Sequence, residues 1–114
     1  LGMSNGIIPD SSLTASSHRS GLFGPEQGRL GNPRFAWSPR PDDASPFFQV
    51  DLGENYYITA ISTKGHPVYN EYVKKYLMRY SNDGKKWKTV SAEPGIPKVT
   101  FFSSKRMPMF TILM

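Results

Sequence analysis

His18 and His66 are the only histidines in the chain, and neither stands at metal-ligand spacing from another strong ligand. Taken one at a time, each reads as a surface loop residue. Asp42-Asp43 is the one adjacent acid pair. It lacks the Asp-x-Asp-x-Asp-Gly pattern of a calcium loop and reads as a solvated turn. With no cysteine there is no disulfide framework, thiol catalysis or cysteine-based zinc site. Serines are plentiful, but none sits in a nucleophile elbow or a Ser–Lys motif. Gly-rich phosphate loops, basic helices with heptads and RNA-binding aromatic signatures are missing as well. The expectation is therefore no enzyme, no metal, no cofactor and no nucleic-acid partner.

What remains for function is loops, and strands must hold them. In Phe47-Phe48-Gln49-Val50-Asp51-Leu52-Gly53, Phe48, Val50 and Leu52 fall on one face and Phe47, Gln49 and Asp51 on the other. That is the period of a half-buried strand. Gly53 and Asn55 are read as its end. Tyr57 to Thr63, rich in β-branched residues, is read as its antiparallel neighbour. Leu13 to Ser17 predicts a short strand, with Ile7-Ile8 and Leu13 as anchors. Tyr72 to Tyr80 alternates with Tyr76, Met78 and Tyr80 on one side. Ser81-Asn82-Asp83-Gly84 predicts a hairpin returning through Lys85 to Val90, with Trp87 inward. Pro25 to Leu30 has room for one helical turn at most, and Trp37 is a core candidate. No stretch sustains a helical period, so the fold class is all-β.

Two loops stand out. His18 to Gly24 places Leu22 and Phe23 between glycines, either as a hydrophobic tip or as a plug folded back onto the core. Gly65 to Glu71 carries loop-forming Gly65 and Pro67, yet Val68 and Tyr69 are apolar.

The 114 residues suffice for one domain. No basic-then-apolar leader opens the chain, which reads as one module of a larger polypeptide. The formal charge of +5 is concentrated. Lys64, Lys74, Lys75, Arg79, Lys85, Lys86 and Lys88 face only Glu71 and Asp83 in residues 64–88, and the rest of the chain balances. Such a stretch attracts an anionic partner or protects strand edges with lysine. Both readings stay open. Lys98 to Phe102 has the composition of a strand, whereas Ser103 to Met114 lacks alternation and stops on apolar residues; residues 100–114 are expected to be a tail.

The order of the motifs carries more information than any one of them. Leu1-Gly2-Met3 and Ile8-Pro9-Asp10-Ser11-Ser12-Leu13-Thr14-Ala15-Ser16-Ser17 resemble the opening of a discoidin domain, the coagulation factor V/VIII type C family. Arg29-Leu30, Ala36-Trp37, Asp42-Asp43, Phe47 to Gly53, Ile58 to Gly65 and Tyr80 to Trp87 continue it in family order, to about Val99. Phe47 stands where the family usually has tryptophan.

The resemblance implies a distorted jelly-roll β-barrel or sandwich, galactose-binding-domain-like, whose loops at one end bind ligand. It places the domain at 1–99 and an unrelated apolar tail at 100–114. The family's terminal cysteines and closing C-terminal strands have no counterpart, so the expectation is an incomplete barrel of marginal stability. Asp51, if turned inward, would lack its usual basic partner. Family members attach to phosphatidylserine membranes, glycans, collagen or protein receptors as extracellular or cell-surface modules.

The corresponding loops here are His18–Gly24, Gly31–Phe35 and Gly65–Glu71. Leu22, Val68 and Tyr69 are the apolar ligand-binding candidates; Arg19, Arg34 and His66 are the polar ones. Phe23 is a further candidate, or a structural match to a family tryptophan. The implied function is a non-catalytic adhesion or recognition module for anionic phospholipid membrane or cell-surface glycan. An extracellular-matrix or receptor protein is a further partner class. The alternative is a structural or protein–protein fragment with no small ligand.

Overall fold

The computed structural model describes residues 3, 5–57, 60–89, 100–101 and 106–113. Among them there is no α-helix. Seven strands run in chain order as β1 (Leu13–Ala15), β2 (Phe47–Tyr57), β3 (Ala60–Ile61), β4 (Leu77–Ser81), β5 (Lys88–Thr89), β6 (Thr100–Phe101) and β7 (Arg106–Leu113). All pairings are antiparallel. The first sheet has the order β1-β2-β7-β4-β5, and β3 pairs with β6 in a second. Among the described residues, β1 and β5 stand at the two ends of the larger sheet.

Alternation along β2 builds the core. Leu13 lies opposite Val50 and Ala15 opposite Phe48, so the apolar faces of β1 and β2 coincide. Ile8, Leu13, Phe48 and Val50 are buried, with Met3, Ala15, Trp37 and Leu52 packed against them. Trp37 stacks at a tilt on Phe48 with ring centroids 5.4 Å apart, and its Nε1 donates to Ser17 O at 2.9 Å. On β4, Met78 and Tyr80 are buried while Leu77 and Arg79 face out. Of the expected N-terminal anchors, Ile8 is buried and its neighbour Ile7 is 76% exposed.

Several expectations need correction. β2 does not stop at Gly53; it runs to Tyr57, and its neighbours are β1 and β7 rather than the stretch that follows it. Gly53 has φ +75°, but it serves a bulge where the register shifts between Asp51 and Tyr56. Across that shift lies Pro108, flanked by Met107 and Met109 in the β7 register, and a proline has no N–H to give a ladder. Asp51 is exposed, and its Oδ1 accepts from Gly53 N at 2.8 Å, so no buried partner is needed. Residues 106–113, expected to be a tail, instead form β7 between β2 and β4. From Met107 to Leu113 apolar residues stand at both odd and even positions, so the sequence shows no strand period there.

The Tyr72–Tyr80 strand begins only at Leu77, and the hairpin's return strand is limited to Lys88–Thr89. Val90 and Lys98-Val99 lie outside the described residues. The turn itself is tightly bonded. Asp83 Oδ1 accepts from Lys86 N at 2.9 Å, Lys85 N at 2.8 Å and Ser81 Oγ at 3.0 Å. Those donors hold its carboxyl below the usual aspartate range, and Gly84 supplies the positive φ of +71°.

Pro25–Gln27 is a single 3₁₀ turn, and Arg29 just beyond it ties down the N-terminal segment. Its guanidinium donates to Met3 O and Ile8 O, each at 2.8 Å, and to Asp10 Oδ1 at 2.5 Å. Its side chain is only 17% exposed, against 67% for Asp10. The carbonyl contacts therefore matter more than the ion pair. Arg29→Met is expected to lower unfolding free energy by about 2 kcal/mol or more, and Asp10→Asn by less than about 1 kcal/mol, in urea denaturation. Equal losses for the two variants would show that the ion pair dominates.

Candidate functional site

Two loops that are 52 positions apart in sequence meet at one place. Arg19 Nη1 lies 3.4 Å from Glu71 Oε1, with both side chains a little under half exposed. Arg19 Cζ also sits 5.4 Å from the centroid of the Phe23 ring, close enough for a cation–π contact. Phe23 meets Phe35 edge-on at 6.4 Å and the His66 ring at 6.0 Å. His66 in turn lies 4.8 Å from the Tyr69 ring. Arg19, Phe23, His66 and Tyr69 thus form one cluster, with Glu71 and Phe35 closing it.

The first loop is short because its ends are fixed. Ser20 Oγ accepts from Leu22 N at 3.4 Å and starts a 3₁₀ turn over Gly21–Phe23. Arg19 N donates to Ser38 O at 2.9 Å, and Ser38 N donates to Phe23 O at 3.2 Å. Phe23 is consequently half-buried while Leu22, one residue earlier, is 57% exposed. Of the two options left open for this pair, Leu22 takes the tip and Phe23 the plug.

The second loop folds around an imidazole. His66 Nδ1 accepts from Val68 N at 3.1 Å and from Tyr69 N at 3.0 Å. His66 N donates to Glu71 O at 2.8 Å, and Glu71 N donates to Tyr69 O at 2.8 Å. A ring nitrogen that accepts two N–H groups carries no proton, so the proton resides on Nε2. That Nε2 is buried and has no hydrogen-bond partner among the described residues. Val68 and Tyr69 are carried outward, 66% and 56% exposed.

Arg34 is placed differently. It is exposed on the turn after Asn32, whose Oδ1 accepts from Arg34 N and Phe35 N, both at 3.0 Å. Its neighbour Phe35, rather than Arg34 itself, reaches the cluster.

Asp43 is the peg beneath the first loop. Its Oδ2 accepts from Ser16 Oγ at 2.6 Å and Ser17 Oγ at 2.5 Å. The two hydroxyls accept in turn, Ser16 Oγ from Phe47 N at 3.0 Å and Ser17 Oγ from Arg40 N at 3.1 Å. Asp43 is therefore no solvated turn residue, in contrast to Asp42, which is exposed and pairs with Arg40 at 3.0 Å. Glu71 and Asp43 both escaped sequence reasoning; the only hint was a serine pair and an acid pair in family order.

Lys64, Lys74, Lys75, Arg79, Lys85, Lys86 and Lys88 are all exposed. None takes part in an ion pair among the described residues. No group of three His, Cys, Asp or Glu side chains among those residues stands close enough to hold a metal ion.

Clustered loops on an antiparallel all-β scaffold thus carry the exposed apolar and polar groups. The model of the F5/8 type C domain matches residues 12–107, and the chain belongs to that family, the discoidin domains. It is 41% identical over 107 residues to coagulation factor VIII of Sus scrofa, a match covering 87% of this chain and 5% of that protein. Lactadherin of Rattus norvegicus is 38% identical over 109 residues, covering 87% of this chain and 25% of that one. The chain thus spans a quarter or less of these relatives.

Among solved structures, the family 32 carbohydrate-binding module of Clostridium perfringens NanJ, in complex with galactose, superposes with a TM-score of 0.71 at 22% identity. The match covers 93% of this chain and 84% of that one. A second module of that organism, CpGH89CBM32-5 in complex with GalNAc-β-1,3-galactose, gives 0.67 at 19% identity, covering 93% and 86%. At these identities the likeness is one of fold: galactose-binding-like.

Hydroxyl donation from Ser16, then Ser17, with Ser45 N and the Arg40 charge adding to it, holds the Asp43 carboxyl below the usual aspartate range. Because the folded value is depressed, this contribution is complete above the unfolded value of about 3.9 and is lost as pH falls through the folded one. Thermal unfolding followed from neutral to acid pH is expected to lose stability below about pH 4 in the wild type. Asp43→Asn starts less stable and loses less over the same interval. Parallel curves for the two proteins would rule out the peg.

Proposed function

We propose that this chain is a non-catalytic recognition module of an extracellular or cell-surface protein, docking on anionic phospholipid membrane through its paired loops. The observation that carries this is the outward display of Leu22, Val68 and Tyr69 on two loops bonded to each other. Large apolar side chains held on locked loops lose little conformational freedom on insertion. They gain roughly 25 cal/mol for every Å² taken out of water. The exposed basic residues between Lys64 and Lys88 add attraction to an anionic leaflet. The family resemblance, whose membrane-binding members insert apolar loop tips, favours the same reading.

A glycan is the second reading, favoured by one specific feature. The Tyr69 ring, 56% exposed against the His66 ring, and the partly exposed Arg19 guanidinium stand on the two paired loops. A sugar face suits the first, a sugar hydroxyl the second. Two solved structures of the same fold hold galactose-type sugars.

Co-sedimentation with phosphatidylserine–phosphatidylcholine vesicles, with pure phosphatidylcholine vesicles and with added galactose separates the two. Binding is expected to require phosphatidylserine, weaken with salt and ignore galactose. Leu22→Ala and Val68→Ala are each expected to weaken it about tenfold. Loss of binding to galactose alone would move the function to the glycan; unchanged binding in both alanine variants would remove the loops from it.

A further inference from the structure

We infer that the His66 loop is a proton-sensitive clasp, so that acidification releases the recognition surface. This rests on the reading of the paired loops as the binding site. The clasp is the Nδ1 lone pair, which accepts from Val68 N at 3.1 Å and Tyr69 N at 3.0 Å. Those are the backbone N–H groups of the two residues displayed at 66% and 56% exposure. A second proton on the ring turns Nδ1 from acceptor into donor, aimed at two other donors. The imidazolium cannot keep either bond, and the loop must move away from the ring or the ring from the loop.

The surroundings give the extra charge no relief. Phe23 faces the ring from the first loop at 6.0 Å, and Tyr69 faces it from its own loop at 4.8 Å. Arg19, the cation of the first loop, lies over Phe23, and the carboxylate of the same loop pair, Glu71, is engaged with Arg19. Nε2, already protonated, is buried without an acceptor among the described residues. Histidine is the side chain whose ordinary charge change lies between roughly pH 5 and 8, and that interval sets the conditions of the test. The other histidine, His18, meets Ser20 O through Nδ1 at 2.9 Å, a contact in which the ring donates and which survives a second proton.

The chain itself supplies the template for a non-titrating replacement. Asn32 Oδ1 accepts from the N–H groups two and three residues on, Arg34 and Phe35, at 3.0 Å each. His66 Nδ1 makes the same pattern with Val68 and Tyr69. In His66→Asn the acceptor is therefore retained and the titration removed.

The test uses amide hydrogen exchange at Val68 and Tyr69, and binding to phosphatidylserine–phosphatidylcholine vesicles, at about pH 7.4 and about pH 5.5. In the wild type and in His18→Gln, the protection of both amides and the vesicle affinity are each expected to fall about tenfold at the lower pH. His66→Asn is expected to keep both unchanged across that interval. Wild-type amide protection that stays level overturns the clasp, as does a His66→Asn variant that follows the wild type. Protection that falls while vesicle affinity holds leaves the clasp standing and removes the membrane-docking role from this loop.

Discussion

The structure turns on one carboxylate. Asp43 holds the hydroxyls of Ser16 and Ser17, and those hydroxyls hold the backbone at Phe47 and Arg40. One point of contact thus joins the end of β1, the start of β2 and the Pro-rich connection between them. The ladder from Leu13 to Ala15 along β2 follows, since Ser16 N donates to Phe47 O directly beyond it. On its other side the same knot sets Trp37 against Ser17 O, and Ser38 clamps the loop of Arg19 to Phe23. Residues that display Leu22 to solvent are thereby fixed to those that bury Val50.

Legibility followed physical range. Alternation in Phe47 to Leu52 was readable because each residue reports its own face, and the burial of Phe48 and Val50 against the exposure of Asp51 matches it. The hairpin at Asp83-Gly84 was readable because a positive φ narrows the choice of residue. The same logic misled at Gly53, where the permitted conformation serves a bulge within one long strand rather than a turn between two. β7 gave no period because its apolar residues fall at odd positions (Met107, Met109, Leu113) and at even ones (Phe110, Ile112) alike. It also contains Pro108, a residue that argues against a central strand until the register shift opposite it is known.

The site was legible as loops and illegible as a cluster. Glycine and proline marked out His18 to Gly24 and Gly65 to Glu71, and apolar residues within them drew notice. No local rule joins Arg19 to Glu71 or Phe23 to His66, since those contacts span the whole intervening chain. His66 by itself read as a loop histidine. Its role as the acceptor around which that loop closes depends on backbone geometry two and three residues on, which composition does not encode. Ile7 and Ile8 illustrate the same limit: identical side chains, adjacent, one buried and one facing water.

The cations between Lys64 and Lys88, exposed and without an ion pair among the described residues, carry the chain's charge imbalance and surround it with a positive field. At physiological ionic strength that field reaches about 8 Å, a fraction of the 35 × 32 × 27 Å extents of the molecule. Its effect is felt before any contact forms: a polyanionic surface draws the molecule in and turns it as it arrives. Under the membrane-docking proposal, speed of arrival is thus governed by lysines that need not touch the ligand, while residence is governed by the loops.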